Sequence, residues 1–474
     1  LTRKKFGAYE TPEYIFEKYI YPEIKDRLYD YIWVDLFCGS GNLILPILKH
    51  LDPSERVEFF RDHIFLYDIL PEMVIRARRR ARELGIPDRL VEENIRIWDT
   101  LRDYPREILD KGLPVYHVTN PPYLYIGYIR KNPMYRFWLD YFRGENSGYQ
   151  DLYQLALIND LRHGIPRMIY IIPTNFLYGA SVSNKIRRDF LLWYVIKKVI
   201  VFEKKIFDYT GQHVGIFFFE RKQAPRHHPQ SFQVIRAGRV YRERLVTIRP
   251  SNNYRAGTEF DDYTMVYRSN IPVEVEYYLY EKELLENPGS YRIVCIDANR
   301  YNGRTYMRRV YHVNKRLYDK IAGNILFVKT IDGIREDEKA GLYVIREVYN
   351  VDCIVVTKAP YRTHPIQLFF KPRLSRDDQL LLKDYFNTIL NYLREITDSE
   401  FMTTYKYSEA KFTRKYLGLT QVKKLIQTLP ILEMTEEEKN MLRKEIENKN
   451  IEGIVNILET VRNKGTITTW LISS

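Results

Sequence analysis

Ile32-Trp33-Val34-Asp35-Leu36-Phe37 is an apolar run of strand formers halted by Gly39 and Gly41, and Asn42 to His50 then takes helical spacing. Strand, glycine turn and helix make one βα unit, and such a unit buries its strand by joining others like it in a parallel sheet. The pattern recurs. His63 to Asp68 reads as a strand, Glu72 to Leu84 as a helix, and Val91 to Trp98 and Val115 to Thr119 as further strands. Gln150 to His163 reads as a helix, Met168 to Pro173 as a strand and Lys185 to Trp193 as a helix. Val195 to Phe202 and Val214 to Glu220 then suit an antiparallel pair at the sheet edge. The expected fold class is α/β, a Rossmann-like sheet with helices on both faces.

The pattern changes at Lys222-Gln223-Ala224-Pro225-Arg226-His227-His228-Pro229, a polar, proline-bearing stretch that reads as a linker. Residues 1–222 are expected to form the first domain and 230–430 a second, mainly β (α+β) one. In the second, short strand-like segments alternate with turn signals such as Asn302-Gly303 and Asp332-Gly333, and Asp377 to Leu393 is helical. A helical extension, 431–474, opens at Thr435 to Glu438 with a capping box.

Lys and Arg number 74 against 61 Asp and Glu, a formal net charge of +13 that favours a polyanionic partner. No apolar run is long enough to span a bilayer and no secretory signal opens the chain, so a cytoplasmic location is expected. Cys38, Cys295 and Cys353 lie far apart, with no Cys or His at metal-ligand spacing. Neither a disulfide framework nor a metal site is expected.

Chemistry concentrates at the ends of the expected strands. A glycine loop at Asp35 to Asn42 lets a ligand approach bare backbone. Asp68 closes the next strand, where its carboxylate suits two ribose hydroxyls, and Asp99 closes the third. Thr119-Asn120-Pro121-Pro122-Tyr123 follows the fourth. Two successive prolines donate no hydrogen bond and hold the chain extended, carbonyls outward. The Asn120 side-chain oxygen and the Pro121 carbonyl suit the two N–H bonds of an exocyclic base amine, and Tyr123 suits stacking on its ring. The plain alternative is a loop that ends a strand, since Asn-Pro is a turn dipeptide.

This order of motifs resembles the gamma class of DNA amino-methyltransferases of type II restriction-modification systems. Phe6-Gly7-Ala8-Tyr9-Glu10-Thr11-Pro12 is similar to the family's N-terminal cofactor motif, Asp35 to Gly41 to its glycine loop, and Asn120 to Tyr123 to its catalytic tetrapeptide. Tyr170 to Leu177 and Lys205 to Thr210 also resemble family segments. The resemblance implies an S-adenosylmethionine-dependent methyltransferase sheet followed by a target-recognition domain. It implies Tyr9, Thr11 and Asp35 at the methionine moiety, Asp68 at the ribose and Asp99 at the cofactor's adenine amine, with Phe37, Gly39, Gly41, Ile69 and Asn120 also at the cofactor. Asn120, Pro121, Pro122 and Tyr123 would be catalytic, on an adenine flipped out of double-stranded DNA. Tyr123 would stack on one face of that base; Phe207 or Tyr209 would take the other.

Direct transfer needs neither a covalent intermediate nor a metal, and Cys38 is expected to pack rather than react. Lys358 to Pro365 and Tyr407 to Lys415 mix cations with aromatics and suit DNA contact, whereas the arginine run Arg76 to Arg82 reads as a solvated helix face. The expected assembly is a monomer on DNA, with a separately encoded cognate restriction endonuclease. The alternatives are N4-cytosine, RNA or release-factor glutamine methylation and, outside enzymes, a DNA-binding specificity module.

Overall fold

A computed structural model describes residues 10–203, 213–238, 242–333, 339–358, 365–404 and 414–472. The chain forms two compact units, the first running to Ala256 and the second beginning at Gly257.

In the first unit nine strands make one sheet: β1 (Ile32–Asp35), β2 (Ile64–Asp68), β3 (Ile95–Ile97), β4 (Val115–Thr119), β5 (Arg167–Pro173), β6 (Tyr194–Phe202), β7 (Val214–Arg221), β8 (Gln230–Ala237) and β9 (Arg242–Ile248). Their order is β3-β2-β1-β4-β5-β7-β6-β8-β9. The first five are parallel, with Trp33 in register with both Ile64 and Tyr116. Every residue of β1, β2 and β4 is buried, as strands covered on both faces require. The chain leaves β1 toward β2 and β3 on one side and returns through β4 and β5 on the other, so the carboxyl ends of β1 and β4 flank the switch point where open α/β sheets bind ligands.

Three expected elements differ. Val91 to Trp98 is not one strand: Asp88–Asn94 is a helix and only Ile95–Ile97 is extended. Pro87 starts that helix, and the Asn94 side chain ends it by donating to the Phe60 and Ile64 carbonyls at 2.9 and 3.0 Å. Asn42 to His50 yields only a 3-10 helix at Leu45–His50, where Pro46 removes a backbone donor. Finally, β6 and β7 pair antiparallel but not at the edge, because β8 and β9 extend the sheet beyond them.

The linker read at residues 222–229 therefore lies inside the first unit, and the boundary falls after Ala256. Lys222 Nζ is held by the Leu191 and Arg226 carbonyls at 2.7 and 2.8 Å. The buried Gln230 side chain accepts from Ile196 N at 3.0 Å and donates to the Tyr194 carbonyl at 3.0 Å, tying the start of β8 to β6.

The second unit holds β10 (Glu274–Tyr277), β11 (Leu279–Tyr280), β12 (Pro288–Tyr301), β13 (Tyr306–Val313), β14 (Leu326–Lys329), β15 (Gly341–Val344), β16 (Cys353–Val356) and β17 (Ile366–Lys371). They form two four-stranded sheets, β10-β17-β14-β15 and β11-β16-β12-β13. Helices follow at Arg376–Thr397, Leu419–Ile426, Glu436–Glu447 and Ile451–Ile472. Thr435 caps the third reciprocally with Glu438, as its sequence predicts. Cys295 and Cys353, 58 residues apart, stand opposite each other on β12 and β16 and are joined as a disulfide, against the expectation from their spacing. Among the described residues no helix is long and apolar enough to cross a membrane.

Candidate active site

The carboxyl ends of β1, β2 and β4 and the residues after β3 surround a pocket of about 630 Å³, its open mouth included, within the range of small-molecule sites. Its walls include Phe37, Gly39, Asp68, Ile69, Asp99, Asn120 and Pro122, all expected at the site, together with Trp98, Thr100, Leu101 and Trp138.

Asp68 ends β2 with its carboxylate across the glycine loop. Gly39 N donates to Oδ2 and Leu70 N to Oδ1, each at 2.8 Å. Burial pushes this carboxyl up to about 6, against the pull of the backbone N–H groups. Gly39 has φ +55, and the space where a Cβ would sit holds no atom within 4 Å. Gly41 differs: at φ +79 its Cβ would lie 2.5 Å from Leu45 Cδ1, so this glycine permits packing and is not a pocket wall.

Asp35 lies beneath the pocket rather than in its wall. It is 1% exposed and accepts the Thr119 hydroxyl at 2.5 Å and Phe37 N at 3.0 Å. Burial pushes its carboxyl up to about 7. Thr119 immediately precedes Asn120, so this contact ties the glycine loop to the tetrapeptide. A second buried group supports the same strand ends: His117 accepts Leu36 N through Nε2 at 3.2 Å and meets Asp160 Oδ2 through Nδ1 at 2.5 Å. Asp160 also accepts the Tyr104 and Tyr170 hydroxyls at 3.0 and 2.5 Å.

The tetrapeptide is fixed from several sides. Asn120 Nδ2 donates to Thr11 Oγ1 at 3.0 Å, which brings one residue of the N-terminal motif to the site. The Tyr123 hydroxyl lies within hydrogen-bonding reach of both Asn120 Oδ1 and, at 2.6 Å, the Ile171 carbonyl. Pro121 is buried, and Leu124 N donates to Asp151 Oδ1 at 2.8 Å. Tyr123 is only 3% exposed, so in this conformation its ring offers no open stacking face. Tyr9, Phe207 and Tyr209 lie outside the described residues, as do 359–364 and 405–413 of the two loops expected at DNA.

Asp99 is half-buried. Tyr141 donates its hydroxyl to Oδ2 at 2.6 Å, and Arg102 Nε lies 3.6 Å from the same oxygen. Sequence reasoning missed Trp138 and Tyr141, which sit well beyond the tetrapeptide and carry no motif. Trp98 had a signal, its place beside Asp99 at a strand end. Cys38 is buried, which pushes its thiol up and disfavours the thiolate, consistent with a packing role.

The pocket joins bare backbone at Gly39, the three carboxylates of Glu10, Asp68 and Asp99, and a constrained Asn-Pro-Pro rim, so it can hold a polar nucleoside-sized molecule against a segment rich in hydrogen-bond acceptors. Among solved structures, the chain is similar to the DNA complex of the type IIL restriction-modification enzyme MmeI, at 11% identity and a TM-score of 0.51 over 97% of this chain and 76% of that one. It is also similar to a modification subunit ascribed to a type I restriction enzyme from Vibrio vulnificus, at 17% identity and TM-score 0.37 over 70% of this chain and 58% of that one. A type I methyltransferase subunit from Streptococcus thermophilus matches at 18% and 0.34, over 48% and 47%. The chain thus spans about half the length of each type I subunit, 58% of the first and 47% of the second. No curated protein sequence matches it. The family profile described as N-6 DNA methylase matches residues 2–245, more than half of the 474 residues, and the chain belongs to that family.

Proposed function

We propose that the chain transfers a methyl group from S-adenosylmethionine to the N6 amine of an adenine flipped out of double-stranded DNA. The observation that carries this reading is the placement of Asn120 and Pro122 on the rim of the pocket that Gly39, Asp68 and Asp99 also line. The donor set fits the cofactor. Asp68 suits the ribose hydroxyls, Asp99 the adenine amine, and the open space beside Gly39 admits ligand close to backbone. When bound, S-adenosylmethionine supplies an electrophilic methyl group on a sulfonium.

The rest is work for the chain's own residues. Asn120 Oδ1 and the Pro121 carbonyl accept the two N–H bonds of the target amine, turning the nitrogen lone pair away from the ring and toward the pocket. Thr11 and Tyr123 hold the Asn120 side chain in place for that task.

DNA as the partner is supported by the charge of +13 and by the β12–β13 hairpin of the second unit. From Ala298 to Val313 that hairpin carries Arg300, Arg304, Arg308 and Arg309 and no acidic residue, with Arg309 held by Asp297 and Glu281. A two-stranded ribbon of this kind fits a DNA groove, which suits the second unit to target recognition. The motif order supports a gamma-class enzyme of a type II system, working as a monomer in the cytoplasm and protecting DNA from a cognate endonuclease.

The test is to incubate the protein with duplex DNA and labelled S-adenosylmethionine, digest the DNA and identify the labelled nucleoside. N6-methyladenine is expected from the wild type, and none from Asn120→Ala with cofactor binding largely retained. Label only in N4-methylcytosine, or only in an RNA substrate, refutes the reading.

A further inference from the structure

The segment that follows the tetrapeptide has two sides. Its buried side chains include Ile129, Tyr135, Trp138 and Tyr141. Trp138 is a wall of the pocket and Tyr141 holds Asp99, so this side belongs to the cofactor site. Its solvent side is unusual. Tyr125, Tyr128, Met134 and Phe137 are 41, 44, 61 and 39% exposed, four large apolar side chains within 13 residues. Scattered single exposures need no explanation, but a concentration of this kind marks a binding surface.

Charge says what it binds. From Lys111 to Leu139 the sequence contains no acidic residue, while Arg130, Lys131 and Arg136 are exposed and form no ion pair among the described residues. Aromatic faces interleaved with unpaired cations match a nucleic-acid strand, whose bases stack and whose phosphates need counter-charge. They match no apolar partner equally well.

The platform is also held in place at one end. Ile126 N donates to the Gln150 carbonyl at 2.9 Å, and Tyr125 bridges to Asp151. The Tyr125 ring lies against Gly127, where an added Cβ would fall 2.4 Å from the ring. An exposed tyrosine is thereby fixed two residues beyond buried Tyr123.

We propose that the solvent side of Tyr125–Phe137 is a platform for the DNA strand that carries the target adenine, gripping it beside the extruded nucleotide. Tyr125 and Tyr128 stack on bases next to the gap, and Arg130, Lys131 and Arg136 take the phosphates. This rests on the proposed function and adds a substrate-strand site to it. Trp138 and Tyr141 form the other side of the same segment, so the strand site and the cofactor pocket share one element while using different side chains.

The test uses the full chain with two double variants, Tyr125→Ala/Tyr128→Ala and Arg130→Ala/Lys131→Ala. Cofactor affinity is measured by calorimetry, and KM for duplex DNA is measured across salt concentrations. Cofactor affinity is expected to stay within about twofold, while KM for DNA rises at least about thirtyfold for the tyrosine pair, one stacked base lost at each. For the cation pair the salt dependence should flatten by roughly two units of slope, about 0.9 per phosphate contact. Arg130→Gln alone, at an exposed position, should flatten it by about one unit and stands in if a double variant fails to fold. Unchanged KM and slope in variants of a wild type that methylates adenine in DNA overturn the platform alone. A wild type that leaves DNA unmodified overturns the parent reading and the platform with it.

Discussion

Gly39 and Gly41 stand two residues apart in one loop, and replacing each by alanine should produce opposite symptoms. Both have positive φ, so a Cβ costs each about 1 kcal/mol in backbone strain. At Gly41 the added methyl would also meet Leu45 Cδ1 at 2.5 Å and Cγ at 2.9 Å. Leu45 is fully buried, so the contact must be relieved inside the core, and overpacking adds about 1–3 kcal/mol. The sum for Gly41→Ala is about 2–4 kcal/mol. At roughly 2–4 °C per kcal/mol for a domain of this size, melting should fall by on the order of 5–15 °C. At Gly39 the methyl meets no atom within 4 Å, so stability should fall only by the strain of about 1 kcal/mol. That methyl would, however, stand in the pocket wall, and cofactor affinity should drop on the order of tenfold, about 1.4 kcal/mol. Thermal melting of the ligand-free proteins and calorimetric titration with S-adenosylmethionine read the two effects separately. A Gly39→Ala protein that binds cofactor like the wild type would refute close backbone approach at this residue. A Gly41→Ala protein as stable as Gly39→Ala would refute the packing role.

Three further perturbations probe the surroundings. The folded Asp35 carboxyl keeps its proton to about 7, whereas an unfolded one releases it near 3.8, so its contribution to stability is full below about pH 4 and is lost as pH rises through 7. Asp35→Asn should remove at most about 3 kcal/mol of that decline between pH 5 and pH 8, read from urea midpoints at the two values; an unchanged pH dependence would show that the carboxyl is ionised throughout. Asp160→Ala strips the acceptor from His117, Tyr104 and Tyr170 together and should cost at least about 3 kcal/mol in chemical denaturation; a loss below about 1 kcal/mol would mean the group is not held as described. Arg300→Ala/Arg304→Ala on the hairpin should flatten the salt dependence of DNA binding, measured by anisotropy, by about two units of slope, and no change would remove the hairpin from the DNA interface.

The parallel core was legible because burial on both faces turns β1, β2 and β4 into unbroken apolar runs that no exposed strand would tolerate. Val91 to Trp98 misled for a related reason: Val91 and Ile95 sit four apart, which one turn of helix satisfies as well as a strand does, and only Pro87 hinted at the helix. The missed edge was a matter of composition. Gln230 is polar, yet it opens a core strand because its amide is fully satisfied by β6, and no local rule anticipates partners 34 and 36 residues away. Cys295 and Cys353 were hidden likewise, since their meeting depends on the register of β12 against β16.

At the site, Gly39, Asp68, Asp99 and Asn120 were readable because a parallel sheet brings the ends of its strands together, so each could be placed by finding where its strand stops. What the same logic could not do was tell Asp35 from Asp68. Each is an acid closing a buried strand beside the glycine loop, and both are pushed upward by burial. The difference lies in their partners. Asp68 is held by Gly39 and Leu70 N–H groups of the loops around it and keeps its place in the pocket wall, whereas Asp35 turns under the loop to a hydroxyl on β4, 84 residues along the chain. That hydroxyl belongs to Thr119, next to Asn120. Asp35 therefore influences the acceptor site through the backbone it anchors, and a change there should disturb cofactor loop and tetrapeptide together, whereas a change at Asp68 should be felt first by the ligand in the pocket.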